Sequence, residues 1–157
     1  MLILGIDSAE TSGLALVERD AAGHERLHRH GAELVRSYHD IDRLAGEWTR
    51  DPQPHLVVVE EPFVHPRYPL AGLVLARLLG RWLQAFEGRG FATATVPASM
   101  WQTSMLPGVT RWTRSELRKA AAVRWVRERY GAEVGEDAAD AIVLATWVAR
   151  NSRAVAA

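Results

Sequence analysis

Leu56-Val57-Val58-Val59 constrains the fold of this chain more than any other stretch. Four apolar residues in a row, three of them β-branched, leave neither face of an extended strand for water. Such a strand belongs in the middle of a sheet that is covered on both sides. Helical patterns flank it. Asp40 to Thr49 sets Ile41, Leu44, Ala45 and Trp48 on one stripe before Asp51-Pro52-Gln53-Pro54 stops it. Pro69 to Phe86 reads as a long helix whose first half is apolar nearly all round, with Leu70, Leu73, Val74, Leu75, Leu78 and Leu79. Gly72, Ala76 and Gly80 recur along it every fourth residue, a ridge that suits close packing within the chain or against a second copy.

The remaining elements complete an α/β fold. Leu2 to Ile6 reads as a buried strand ending at Asp7, and Gly13 to Glu18 as its hairpin partner. A third strand lies within Glu25 to Val35, after the Gly23 turn, and Gly90 to Val96 forms the last. Pro97 to Ser104 is a short helix before the Pro107-Gly108 turn. Thr113 and Glu116 give a capping-box signature for a helix with Val123, Val126 and Tyr130 on one stripe. The final helix starts near Glu136, and Ser152 to Ala157 reads as a loose tail. Hairpinned strands followed by strands alternating with helices give a mixed five-stranded sheet flanked by helices, in one domain spanning 1–157.

Composition removes several classes of function. The 157 residues, 48% hydrophobic, suffice for one full core. No apolar run reaches the ~18 residues of a membrane span, and Met1 leads straight into a strand, so a soluble cytoplasmic protein is expected. The absence of cysteine excludes disulfides, thiol nucleophiles and cysteine-held metals. Any metal must be bound by oxygen or imidazole. His28 and His30 share one strand face near His24, but no further ligands follow at zinc spacing, so these are expected to be exposed strand histidines. No glycine-rich phosphate cradle is present.

The formal net charge of zero hides a local excess. Arg111 to Arg129 carries +5, and Lys119 is the only lysine of the chain. A surface built of guanidinium groups can grip phosphate bidentately, or can simply be a solvated helix face.

Acids stand where a core should be closing. Asp7 ends the first strand and Glu60 ends the central one, while Asp137 and Asp140 lie one turn apart at the head of the apolar run Ala141 to Leu144. Asp137 alone could complement a helix dipole, but Asp140 shares its face with Leu144, Trp147 and Val148 and so looks inward. Neighbouring strands are about 4.8 Å apart, so acids ending adjacent strands can share an ion, and a helix across that end adds the other two. Four clustered carboxylates need cations, and oxygen-only ligation favours Mg²⁺ or Mn²⁺. Two such ions, spaced by about 3.5–4 Å, are the arrangement used for phosphodiester cleavage.

Ile6-Asp7 with Gly13 in the next strand, Val59-Glu60-Glu61-Pro62-Phe63, and Asp137-Ala138-Ala139-Asp140-Ala141 together resemble the RuvC family of Holliday-junction resolvases, within the RNase H-like superfamily. The order and spacing match over nearly the whole chain. The resemblance implies an RNase H-like sheet and four metal-binding catalytic acids at Asp7, Glu60, Asp137 and Asp140. It implies two Mg²⁺ ions per site with Mn²⁺ able to substitute, and a homodimer acting on branched DNA. Phe63 falls on the aromatic that the family inserts at the junction centre. Gln102-Thr103, Arg111 and Arg114 resemble the DNA-contacting loop and the helix after it, which also carries Arg118 and Lys119. Asp7-Ser8-Ala9 and Trp101 depart from the family, which often has Asp-Pro-Gly and a lysine there, and this suggests a divergent or phage-type branch.

The function expected is a structure-selective endonuclease that nicks four-way junctions in pairs, and the resemblance implies that it leaves 5′-phosphate and 3′-hydroxyl ends. One rival is a less selective nuclease of flaps, forks or RNA-containing duplexes. A second is a non-catalytic junction-binding scaffold, which would be favoured by a missing acid. An actin-like kinase fragment also opens on a strand ending in Gly-Ile-Asp, but it needs later phosphate-binding glycine turns that this chain lacks.

Overall fold

In the computed structural model, which describes residues 1–62, 67 and 69–155, the apolar run from Leu56 forms strand β4 (Leu56–Glu61) between two parallel neighbours. Those neighbours are β1 (Leu2–Asp7) and β5 (Thr93–Pro97). β1 pairs antiparallel with β2 (Thr11–Arg19), and β2 with β3 (Glu25–Leu34), so the five-stranded mixed sheet has the order β3-β2-β1-β4-β5. Val57, Val58 and Val59 are wholly buried, as a two-faced strand requires.

Strand parity sorts the core into two layers. Leu2, Leu4, Ile6, Leu14, Leu16, Val57 and Val59 pack toward α1 (Tyr38–Trp48) and α2 (Pro69–Glu87). Ile3, Ala15, Val17, Val58 and Val96 pack toward α3 (Ala98–Met105), α4 (Ser115–Tyr130) and α5 (Glu136–Val155). Each aliphatic side chain taken from water in this way contributes about 1.5–3 kcal/mol. Among the described residues no helix is long and apolar enough to cross a membrane.

Two details differ from the reading of the sequence. The capping box at Thr113 does not form. Arg114 is the N-cap of α4 without a side-chain bond, because the Thr113 hydroxyl accepts from the Thr110 amide at 2.9 Å in the preceding turn. The capping box sits instead at α1, where Ser37 and Asp40 bond reciprocally. At the other end, the chain stays helical to Val155 after a break at Asn151 (φ −115°, ψ 21°), through residues expected to be loose. His28 and His30 are exposed on β3 as expected, with His28 Nε2 against Glu18 at 2.8 Å.

Two features anchor α4 and α5. The Glu25 side chain, only 2% exposed, is gripped by Arg150 and Arg129 at 2.5 to 3.1 Å. Burial would raise its carboxyl, but these guanidinium groups hold it below its ordinary range. The Tyr130 hydroxyl meets Thr146 Oγ1 at 2.9 Å.

Candidate active site

The same parity that builds the core aims the acids. Asp7 follows Ile3 and Gly5 on the α5 side of β1, and Glu60 follows Val58 on the α5 side of β4. Glu61 falls on the other face and is exposed, which selects Glu60 of the adjacent pair. Ile6 pairs with Val59, so Asp7 and Glu60 leave neighbouring strand ends side by side.

Small residues let α5 close over that end. A Cβ on Gly13 would lie 1.9 Å from the Asp137 carbonyl oxygen, and one on Gly5 would lie 2.6 Å from that of Ala141. Only bare backbone admits the helix at these two points. α5 is thereby brought down on β1 and β2, with Asp140 almost fully buried and Asp137 half-buried at its first turn.

Crowding of like charge is visible in the protonation of these groups. Burial first, then the Asp137 charge, pushes Asp7 up to about 6 against an opposing pull from Lys119. Burial first, then Asp7, pushes Asp140 up to about 7. Glu60 is raised well above its ordinary value by burial, with Asp7 and Asp140 adding to it. Asp7, Glu60 and Asp140 therefore sense one another, and the cluster is short of positive charge.

Protein groups supply part of that charge. Lys119 Nζ stands 3.2 Å from Asp137 and 3.4 Å from Glu136. Burial alone would depress the ammonium, but these two carboxylates raise it. Trp101, wholly buried, donates its indole N–H to Glu60 Oε2 at 3.0 Å. Among the described residues no three acidic or histidine side chains converge as a ready-made metal cage. The donor set still fits a hard divalent cation, being all carboxylate, partly buried and underneutralised.

The residues expected to meet DNA divide into two groups. Arg111 and Arg114 are exposed at the head of α4, with the Arg111 guanidinium 4.5 Å from the centre of the Trp112 ring. Gln102 is buried and accepts from Arg118 at 3.0 Å, so that pair lies beside the acids rather than on the open surface. Lys119 belongs to the acid cluster itself. Phe63 lies outside the described residues. Sequence reasoning gave Trp101 no role of its own, since a tryptophan followed by glutamine carries no signal that its N–H reaches a glutamate 41 residues away.

No protein-family model matches the chain, and no curated protein matches it in sequence. Solved structures do. RuvC of Thermus thermophilus in complex with a Holliday-junction substrate is similar with a TM-score of 0.76 and 23% identity, over 98% of this chain and 96% of that one. A second Thermus thermophilus RuvC structure gives 0.75 and 24% over the same shares. The Fowlpox virus resolvase in complex with Holliday-junction DNA gives 0.65 and 11%, over 97% and 99%. The chain shares its fold with these proteins.

Proposed function

We propose that this chain is a divalent-metal-dependent, structure-selective DNA endonuclease that resolves four-way junctions by paired symmetric nicks across a homodimer. The observation that carries this reading is the gathering of Asp7, Glu60, Asp137 and Asp140 at one end of a sheet whose fold is shared, end to end, with proteins solved on junction DNA. A scaffold that only binds junctions would have no use for three partly or fully buried carboxyls held at a cost to folding.

Asp7, Glu60, Asp137 and Asp140 would hold two Mg²⁺ ions, which when bound supply Lewis-acid activation of water and charge neutralisation at the scissile phosphate. The chain's own groups prepare that site. Trp101 orients the Glu60 carboxylate by bonding one of its oxygens. Lys119 pairs with Asp137 at 3.2 Å and holds its place until a cation takes it. Arg111 and Arg114 meet the DNA backbone at the head of α4, where uncapped backbone N–H groups favour phosphate. Phe63, just past β4, is the aromatic expected to stack at the branch point.

Pairing of nicks requires two copies. α2 offers the surface: Leu70 (77% exposed), Leu73 and Val74 face solvent beside exposed Ala76 and Gly80, while Trp82, Ala85 and Phe86 anchor the helix in the core. A solvent-facing apolar strip of this kind is suited to a self-complementary contact.

The deciding experiment compares cleavage of a four-way junction, fork, flap and linear duplex, by wild type and by Asp7→Asn, in Mg²⁺ and in Mn²⁺. Junction-selective, symmetric nicking that chelation stops and Asp7→Asn abolishes, with junction binding retained, is the expected result. Equal cutting of all four substrates would favour the less selective nuclease, and full activity of Asp7→Asn would refute the site.

A further inference from the structure

Arg118 is unlike the other cation at the acid cluster. Lys119, its neighbour, pairs with two carboxylates, whereas Arg118 forms no ion pair among the described residues although its charge reaches Glu60. Its Nη1 donates instead to Oε1 of Gln102 at 3.0 Å, and its Nε is buried without a partner. Gln102 is itself 8% exposed, and it follows directly on the Trp101 that holds Glu60. One turn of α3 therefore positions an acid with one residue and a guanidinium with the next.

An amide oxygen and a carboxylate would hold Arg118 equally well in geometry, but they differ in what they leave behind. A carboxylate would neutralise the guanidinium, while the amide fixes it and leaves its full charge and most of its N–H fork unspent. A buried donor without a partner is costly in the resting protein, and an anion entering the site would relieve that cost. A guanidinium is also the cation best matched to two phosphate oxygens at once.

We propose that Arg118 binds the non-bridging oxygens of the scissile phosphate and that Gln102 is its positioning residue. The inference rests on the nuclease reading and assigns a step within it. In hydrolysis the water oxygen bonds to phosphorus as the bond to the 3′ oxygen breaks; water gives up a proton to solvent, and the 3′ oxygen takes one up. Negative charge on the non-bridging oxygens is greatest between those events, and a pre-placed Arg118 meets it without reorganisation. Arg118 thus acts on the rate at saturation more than on affinity, in contrast to the exposed Arg111 and Arg114.

The test is single-turnover junction cleavage with enzyme in excess, alongside junction affinity measured in chelator. Arg118→Ala is expected to slow cleavage roughly 100-fold to 1,000-fold, with affinity changed little and the rate partly restored by added millimolar guanidinium. Arg118→Lys keeps the charge and stem but not the fork, and it should be intermediate, which guards against a folding defect in the alanine variant. Gln102→Glu should slow cleavage by pairing Arg118 internally, and Gln102→Met should slow it less. Arg118 variants that cut at the wild-type rate at saturation, or that lose only affinity, would overturn the inference while leaving the nuclease intact. A wild type that cuts no branched DNA would overturn the nuclease reading, and this step with it.

Discussion

Lys119, the only lysine in the chain, shows how one residue can belong to two accounts of a site. Counted with the arginines of α4 it is part of a basic stretch, yet its ammonium is spent on Asp137 and Glu136 at 3.2 and 3.4 Å. It therefore competes with any metal for Asp137. Lys119→Met is expected to tighten Mn²⁺ binding by about threefold to tenfold, the worth of roughly 1 kcal/mol for a partly exposed ion pair. Titration calorimetry of the metal alone reads this without any substrate. Unchanged Mn²⁺ affinity together with weakened junction binding would return Lys119 to the role of phosphate contact. Arg118 makes the same point in reverse, since sequence marks it only as one of several cations, and its amide partner gives it a distinct place.

At the scale of elements, the site is made by how closely α5 can approach the sheet. Gly13 pairs with Asp7 in the β1–β2 ladder, and its missing side chain is where the first turn of α5 rests. Gly13→Ala must push that turn away, an overpacking that costs typically 1–3 kcal/mol. Because Asp137 and Asp140 move with the turn, Mn²⁺ affinity should fall by about tenfold or more, as displaced ligand supports usually cause. A lower melting temperature with unaltered Mn²⁺ binding would show that the contact serves stability alone. Much of this was legible beforehand. Alternation along Ile3, Gly5 and Asp7 and along Val58 and Glu60 fixes which acids share a face, and the inward face of Asp140 follows from Leu144, Trp147 and Val148. Contacts that depend on how two elements meet were not legible. Neither the reach of Trp101 to Glu60 nor the diversion of the Thr113 hydroxyl into the Thr110 turn follows from local pattern, because each partner is chosen by tertiary approach.

For the whole molecule, two demands meet: an apolar strip on α2 that wants a partner, and an acid cluster that wants cations. The strip predicts a dimer in sedimentation at micromolar concentration, and Leu73→Glu with Val74→Glu should give a folded monomer; a wild type monomeric at working concentrations would remove the basis for paired nicking. The acids predict an unusual dependence of stability on pH. Asp7 at about 6 and Asp140 at about 7 stand above the value near 4 that the unfolded chain would show, and Glu60 is raised as well. Below pH ~4 all are protonated in both states, and the cluster has no effect. From about pH 4 to 7 the unfolded chain has lost protons that the fold retains, so stability falls as pH rises, and above about 7 the penalty from Asp7 and Asp140 is fully present. Glu25, whose carboxyl is lowered, works the other way, but its contribution is lost only on acidification below this window. In chelator, the melting temperature should therefore drop between pH 5 and pH 8 by roughly 5–10 °C, for a penalty on the order of 3 kcal/mol. Saturating Mg²⁺ should flatten the profile by neutralising the carboxylates, and Asp140→Asn should flatten it without metal. A wild-type slope that persists unchanged in Asp140→Asn would place its origin outside the acid cluster.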